Sequence, residues 1–171
     1  MDADTLTSER LALTPLAPDD AEEMAGVLAD ESLYEFTGGA PVDASQLRAR
    51  YERMTAGSGR SEETWLNWVV RRRSDGRPVG TVQATVIERD GEHSAWIAWV
   101  IGVPWQRQGF ATEAARMLVA WLREQGVTEV LAAVRPGHLA SERVAARAGL
   151  APTDQMADGE RVWQLRLGAA T

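Results

Sequence analysis

Apolar and polar residues alternate from Arg10 to Leu16, the period of a strand with one buried face. Pro18-Asp19-Asp20 then carries helix-starting chemistry, and Ala21 to Leu28 follows with helical spacing. Gly38-Gly39 and Pro41 interrupt the chain. Asp43 and Gln46 stand at capping-box spacing and predict a second helix to about Met54. Gly57-Ser58-Gly59 reads as a flexible link. A strand-rich block comes next: Thr64 to Arg73, a turn at Ser74-Asp75-Gly76, then Val79 to Glu88. Asp90-Gly91 is a hairpin signal. Ser94 to Val103 is a continuous apolar run, suited to a central strand, and Pro104 ends its ladder.

The period then changes. From Gly109 to Gln125, Ala111, Ala114, Ala115, Leu118, Val119 and Leu122 fall on one helical face, with Gly126 as the stop. Val127 to Val134 reads as a buried strand, and Ala140 to Ala148 as a helix ending at Gly149. Leu150 to Met156 and Arg161 to Leu167 form a hairpin about Ala157-Asp158-Gly159. The predicted order is β-α-α-β-β-β-α-β-α-β-β, one mixed α/β layer architecture without repeats or an interdomain linker.

Composition narrows the function classes. At 171 residues the chain has one domain's worth of length, spanning 1–171 with an ordered core of about 8–167. It has no cysteine, hence no disulfide, no thiol nucleophile and no thiolate zinc site. Two histidines, His93 and His138, are too few for an all-histidine metal site, so no metal is expected. The acidic start lacks a signal-peptide core, and no apolar run is long enough for a bilayer. A cytoplasmic protein without membrane contact is expected. The net charge of −7 disfavours nucleic acid.

The junction Gln106-Arg107-Gln108-Gly109-Phe110-Ala111-Thr112-Glu113-Ala114 joins the apolar strand to the amphipathic helix. Gly109 lacks a Cβ, so an anion approaches the backbone closely there. The amides from about Arg107 to Thr112 precede or open a helix, where they have no intrahelical partner and where the dipole favours negative charge. Arg107 adds a charge-assisted contact. The segment is an anion site built from main chain.

Its Q-x-x-G-x-A pattern resembles the acyl-CoA pyrophosphate loop of the GCN5-related N-acetyltransferases (GNAT). Trp96 to Leu122 is similar to that family's most diagnostic region, and Pro136 to Leu150 to its second. Thr7-Ser8-Glu9-Arg10-Leu11-Ala12-Leu13-Thr14-Pro15-Leu16 is similar to the opening strand of the ribosomal-protein N-acetyltransferase branch. The resemblance implies a single mixed, mostly antiparallel sheet flanked by helices, with a splayed central strand pair. It implies acetyl-CoA as cosubstrate, a primary amine of a small molecule or peptide as acceptor, and direct attack. It leaves a homodimer open.

Carried onto this chain, the resemblance gives the coenzyme Gln106, Arg107, Gln108, Gly109, Phe110, Ala111 and Thr112. It also gives main-chain groups of Ile101 and Val103, with Gly102 suited to a bulge and the Ile101 amide as oxyanion donor. His138 stands where many members have a coenzyme-contacting Asn. Ser141 matches a position near the coenzyme sulfur, so it is the candidate acid for the leaving thiolate, or else a helix cap. Ala145 replaces a tyrosine acid found in many members. A thiolate leaving group, of pKa about 8.5, needs only modest help. Glu35, beside Tyr34 and Phe36, is the candidate base or cation anchor, against a solvated surface role.

Three further features have bland readings. Glu113 reads as a first-turn dipole partner. Arg71-Arg72-Arg73 reads as a solvated basic run. The pairs Trp65/Trp68 and Trp96/Trp99 place one ring on each side of their strands, which suits one of each pair to an acceptor cleft, against plain core packing. A second functional reading, a non-catalytic acyl-CoA-binding sensor, fits the missing tyrosine and the His138 exchange. A dinucleotide fold does not fit, since G-x-G-x-x-G is absent.

Overall fold

The computed structural model describes residues 1–168; residues 169–171, which the single-domain expectation includes, lie outside the described residues. The elements are β1 (Leu6–Thr7), β2 (Leu11–Pro15), α1 (Ala21–Val27), α2 (Ala44–Ala56), β3 (Glu63–Arg72), β4 (Pro78–Arg89) and β5 (Glu92–Ile101). There follow α3 (Phe110–Glu124), β6 (Glu129–Val134), α4 (Leu139–Arg147), β7 (Ala151–Ala157) and β8 (Glu160–Arg166). Eight strands form one sheet in the order β1-β2-β3-β4-β5-β6-β8-β7. Every pairing is antiparallel except β5 with β6. This is the mixed, mostly antiparallel sheet expected above.

Local chemistry explains most boundaries. Asp43 accepts from the Gln46 N–H at 2.8 Å, and the Gln46 side chain accepts from the Asp43 N–H at 3.2 Å, closing the capping box of α2. The two Asp-Gly hairpins have both central residues left-handed: Asp90 and Gly91 at φ 54° and 80°, Asp158 and Gly159 at 50° and 81°. That backbone matches the twist of the strands it joins. Pro18–Asp20, where the helix-starting chemistry stands, is a short 3-10 turn leading into α1, whereas the 3-10 turns at Glu31–Tyr34 and Val103–Trp105 and the two-residue β1 have no sign in the periodicity.

The sheet divides two cores. On one face, α3 buries Phe110, Ala114, Leu118 and Leu122 against Leu13, Trp68, Val82 and Ile97. Trp68 meets Trp121 edge to face, with ring centroids 5.4 Å apart. On the other face, α1 and α2 enclose Leu16, Met24, Leu47, Tyr51 and Val69. The helices α1 and α2 pack chiefly on β3 and β4. The far part of that face is therefore uncovered.

The central strand differs from expectation for this reason. A continuous apolar run predicts burial on both faces, yet Ala98 is exposed and Trp96 and Val100 are half-buried, all on the α1–α2 side. Their partners Ala95, Ile97 and Ile101 are buried under α3. β6 likewise alternates, with Val130, Ala132 and Val134 buried and Ala133 exposed. Apolar side chains left open on a central strand mark a place where something else packs.

Candidate active site

β5 and β6 pair at Ser94↔Glu129, Ala95↔Val130 and Trp96↔Leu131, and no further. Beyond Trp96 each strand remains bonded to its other neighbour: β5 to β4 as far as Ile101, and β6 to β8 as far as Val134. The two strands therefore part, leaving main-chain groups without ladder partners on both sides of a wedge.

The phase of the β4–β5 ladder decides which groups face the wedge. In an antiparallel pair, successive residues point their N–H and C=O to alternate sides. The Gly102 N–H donates to the Val79 carbonyl at 2.8 Å. Val100 and Ala98 therefore bond to β4, and Ile97, Trp99 and Ile101 turn their main chain toward the wedge. The Gln106 side-chain amide donates to the Ile101 carbonyl at 3.0 Å. The Ile101 N–H is left as the polar group that Ile101 offers to the opening.

Two details differ from expectation. The register from Gly80↔Ile101 to Arg89↔Glu92 is unbroken, so Gly102 forms no bulge. The parting comes from β6 leaving β5, not from an extra residue. Gly102 is needed for close packing instead: a Cβ there would lie 2.9 Å from the Trp105 ring and 2.9 Å from the Val27 carbonyl. Val103 is not a strand residue. It opens a 3-10 turn, and its carbonyl accepts from the Gln106 N–H at 3.2 Å.

The loop from Gln106 to Gly109 delivers the chain to α3. Arg107 and Gly109 are both left-handed, at φ 62° and 81°. Gly109 is the N-cap and supplies no side chain. The Glu113 N–H donates to the Gly109 carbonyl at 3.0 Å, so the amides of Phe110, Ala111 and Thr112 have no intrahelical acceptor. Together with the helix dipole they form a positive spot at the base of the wedge. Gln106, Arg107, Gln108 and Gly109 are exposed, and Phe110 is buried in the core.

Arg10, which the alternating pattern places only at a strand start, braces this loop. Its guanidinium donates to the Gln108 carbonyl at 2.8 Å and to Glu113 Oε1 at 2.9 Å, and it stacks 4.6 Å above the Phe110 ring. Glu113 also accepts from the Ser8 hydroxyl at 2.8 Å. Burial would raise the Glu113 carboxyl, but hydrogen bonds from Ser8 and Arg10 and the adjacent positive charge outweigh it and hold the group below its ordinary value. Glu113 is thus more than a dipole partner: it ties β2 to α3. The signal was present as Ser8-Glu9-Arg10 opposite Glu113, but a contact across 103 residues has no local trace. Beside this brace an open hollow of about 570 Å³ is walled by Gly109, Thr112, Arg116 and Arg147, adding positive charge near the loop.

The remaining candidates gather at the other side of the wedge. His138 precedes α4, directly after β6. Its ring lies flat on Phe36, which belongs to the α1–α2 connection. Burial pushes the imidazole below its ordinary value, and the negative charges of Glu142 and Glu35 offset part of that shift. Glu35 is itself exposed. Ser141 lies one turn before Ala145 on the same helical face, and Ala145 is fully buried, so that face points inward. No side-chain cap forms at α4, and among the described residues the Ser141 hydroxyl has no hydrogen-bond partner. The capping role considered for Ser141 is not realised.

A cavity of about 220 Å³ opens on the α1–α2 face over β3, β4 and β5. Leu33, Tyr34 and Leu47 contribute to its walls, and Asn67, Thr81, Gln83 and Val100 to its floor. Val100 adjoins Ile101, so the cavity floor ends beside the wedge. Among the described residues no cluster of His, Cys, Asp or Glu could hold a metal ion. No helix among them is long and apolar enough to cross a membrane.

Residues 10–151 match a family model described as an acetyltransferase (GNAT) domain. No curated protein sequence matches the chain. Several solved structures share its architecture. A ribosomal-protein-S5-alanine acetyltransferase from Vibrio fischeri is 16% identical with a TM-score of 0.77, covering 96% of this chain and 97% of its own. A ribosomal L7/L12 alpha-N-protein acetyltransferase in complex with coenzyme A is 14% identical with a TM-score of 0.79, covering 95% and 98%. An aminoglycoside acetyltransferase in complex with coenzyme A is 19% identical with a TM-score of 0.73, covering 91% and 94%. At these identities the likeness is one of fold.

Proposed function

The chain belongs to the GNAT acetyltransferase family, and from that premise we propose that it moves the acetyl group of acetyl-CoA to a primary amine by direct attack. One observation carries this reading: strands β5 and β6 part after Trp96, and the chain leaves β5 for the start of α3, whose N-cap Gly109 has no side chain. A coenzyme fits that shape and chemistry. The amides of Gly109 to Thr112 suit its diphosphate, with Arg107 as a charged neighbour. The free main-chain groups of Ile97, Trp99 and Ile101 suit an extended amide-bearing arm lying between the strands.

The amine nitrogen attacks the thioester carbonyl carbon. A C–N bond forms and the C–S bond breaks. The Ile101 N–H stabilises the negative charge that builds on the carbonyl oxygen. The departing sulfur takes a proton from the Ser141 hydroxyl as water returns one to Ser141, and the nitrogen loses one to solvent. Glu35 is exposed on the His138 side of the opening, where it suits a water-mediated route for that proton. The chain has no cysteine for a thioester enzyme intermediate, which favours direct transfer. Holding both substrates together supplies much of the rate.

Replacing Gly109 with valine tests the reading. At φ 81° a side chain is strained, its Cβ would lie 3.4 Å from Arg10 Nη2, and it would block the approach to the loop amides. Calorimetry should show acetyl-CoA affinity falling on the order of a hundredfold. Undiminished affinity would remove the loop from the coenzyme site. Thiol release with an amine panel separates turnover from binding alone.

A further inference from the structure

We propose that the acceptor is a small primary amine with an uncharged, ring-sized apolar body bearing one hydrogen-bonding group, and that the cavity over β3–β5 receives this body. The proposal rests on the acetyltransferase reading above and adds the class of amine. The cavity volume, about 220 Å³, is below the several hundred Å³ of sites for drug-sized ligands. It holds one ring or a branched chain. The floor ends at Val100, beside the Ile101 N–H, so an amine attached to that body reaches the wedge.

The lining chemistry selects against a polycation. No Asp or Glu lines the cavity, and Arg50, the one charged residue that does, is itself a cation. A multiply charged amine would lose hydration there with nothing to compensate it. The chain's net charge of −7 would favour a cationic body only if carboxylates lined the cavity, and none does. The floor instead offers the side chains of Asn67, Thr81 and Gln83. Among the described residues none of these three makes a side-chain hydrogen bond, so all three are free to recognise an uncharged group. Tyr51 belongs to the same wall. It is 3% exposed, and its hydroxyl is buried without a partner among the described residues. Burial, and then the Asp20 charge, push that hydroxyl up to about 12, so it remains neutral.

The test compares four amines by thiol release: phenethylamine, tyramine, spermidine and kanamycin. Both ring amines should exceed spermidine and kanamycin at least about tenfold in kcat/KM. Tyramine should exceed phenethylamine by about fivefold, the size of one net hydrogen bond. Gln83→Leu, on the exposed floor, should shrink the tyramine preference toward unity. Leu33→Trp should fill the cavity and raise KM for both ring amines about tenfold, a level that filling a pocket with bulk reaches, with acetyl-CoA affinity by calorimetry unchanged. Preference for spermidine or kanamycin, or ring-amine kinetics untouched by either variant, would overturn the proposal. Tight acetyl-CoA binding without acetylation of any ring amine overturns the acceptor class alone. Absence of acetyl-CoA binding overturns the acetyltransferase reading beneath it.

Discussion

The His138 imidazole lies flat on the Phe36 ring, with centroids 4.1 Å apart and planes 6° from parallel. Phe36 comes from the α1–α2 connection, whose Leu33, Tyr34 and Thr37 line the cavity over β5. His138 follows β6. The stack therefore links a segment lying over one parted strand to the end of the other. It is a side-chain contact beyond the last β5–β6 ladder pair, Trp96↔Leu131.

The stack is part of the burial that bears on His138. Burial lowers the imidazole pKa from 6.5, so the ring is neutral at pH 7 and its share of stability is complete above 6.5. That share is lost as pH falls through the lower, folded value. A two-dimensional NMR titration should give a His138 midpoint below 6.5. Phe36→Ala should move it up toward 6.5 by exposing the ring, and cost about 1 kcal/mol of stability. Glu142→Gln should move it further down by removing a charge that favours the imidazolium. A midpoint unmoved in Phe36→Ala would show that the stack does not desolvate the ring.

Arg10 and Glu113 hold the Gln106–Gly109 loop by a brace that pH can release. The Glu113 carboxyl lies below its ordinary value of 4.5. Its contribution is therefore present above that value and lost as pH falls through the folded one. Thermal unfolding of Glu113→Gln should show a Tm about 3 °C below the parent at neutral pH, a gap typical of about 1 kcal/mol in a chain this size. The gap should close in acid. Arg10→Ala frees the Gln108 carbonyl and the Phe110 face, and should weaken acetyl-CoA binding about tenfold. A Tm difference constant down to acid pH would mean that the carboxylate charge is not what holds the brace.

Ser141→Ala separates acid catalysis from packing. With Ser141 as proton donor to the sulfur, kcat should fall between about tenfold and a hundredfold at pH 7 while acetyl-CoA affinity stays constant. The deficit should narrow as pH rises past the thiol value of about 8.5, where the leaving group departs without a proton. An unchanged kcat across that range would assign the proton to water.

Local sequence carried far in this chain. Asp43 and Gln46, both Asp-Gly hairpins, and the helical face from Ala114 to Leu122 appear in the structure as their spacing implied. Each depends on contacts within a few residues, so chemistry and period suffice. Gly109 belongs to the same class, at the start of α3, where the period changes from strand to helix, although its left-handed φ is visible only in the structure.

Other features have no local signature. The apolar run from Ser94 reads as a strand buried on both faces, whereas Ala98 is exposed because α1 and α2 end over β4. Gly102 reads as a bulge, whereas it gives room to Trp105 and the Val27 carbonyl. Arg10 reads as the edge of a strand, whereas it holds Gln108 and Glu113.

What the sequence alone determined is the family and, apart from the short turns and the two-residue β1, the order of elements, since these follow from motifs, periodicity and residues adjacent along the chain. Tertiary structure alone decided where β5 and β6 part, the Phe36–His138 stack, the Arg10 brace and a cavity lining free of Asp and Glu. Each of these joins residues far apart in sequence. Their distances are set by how whole strands and helices pack, a balance of burial and hydrogen bonding summed over the entire sheet, and no short stretch of chain encodes that sum.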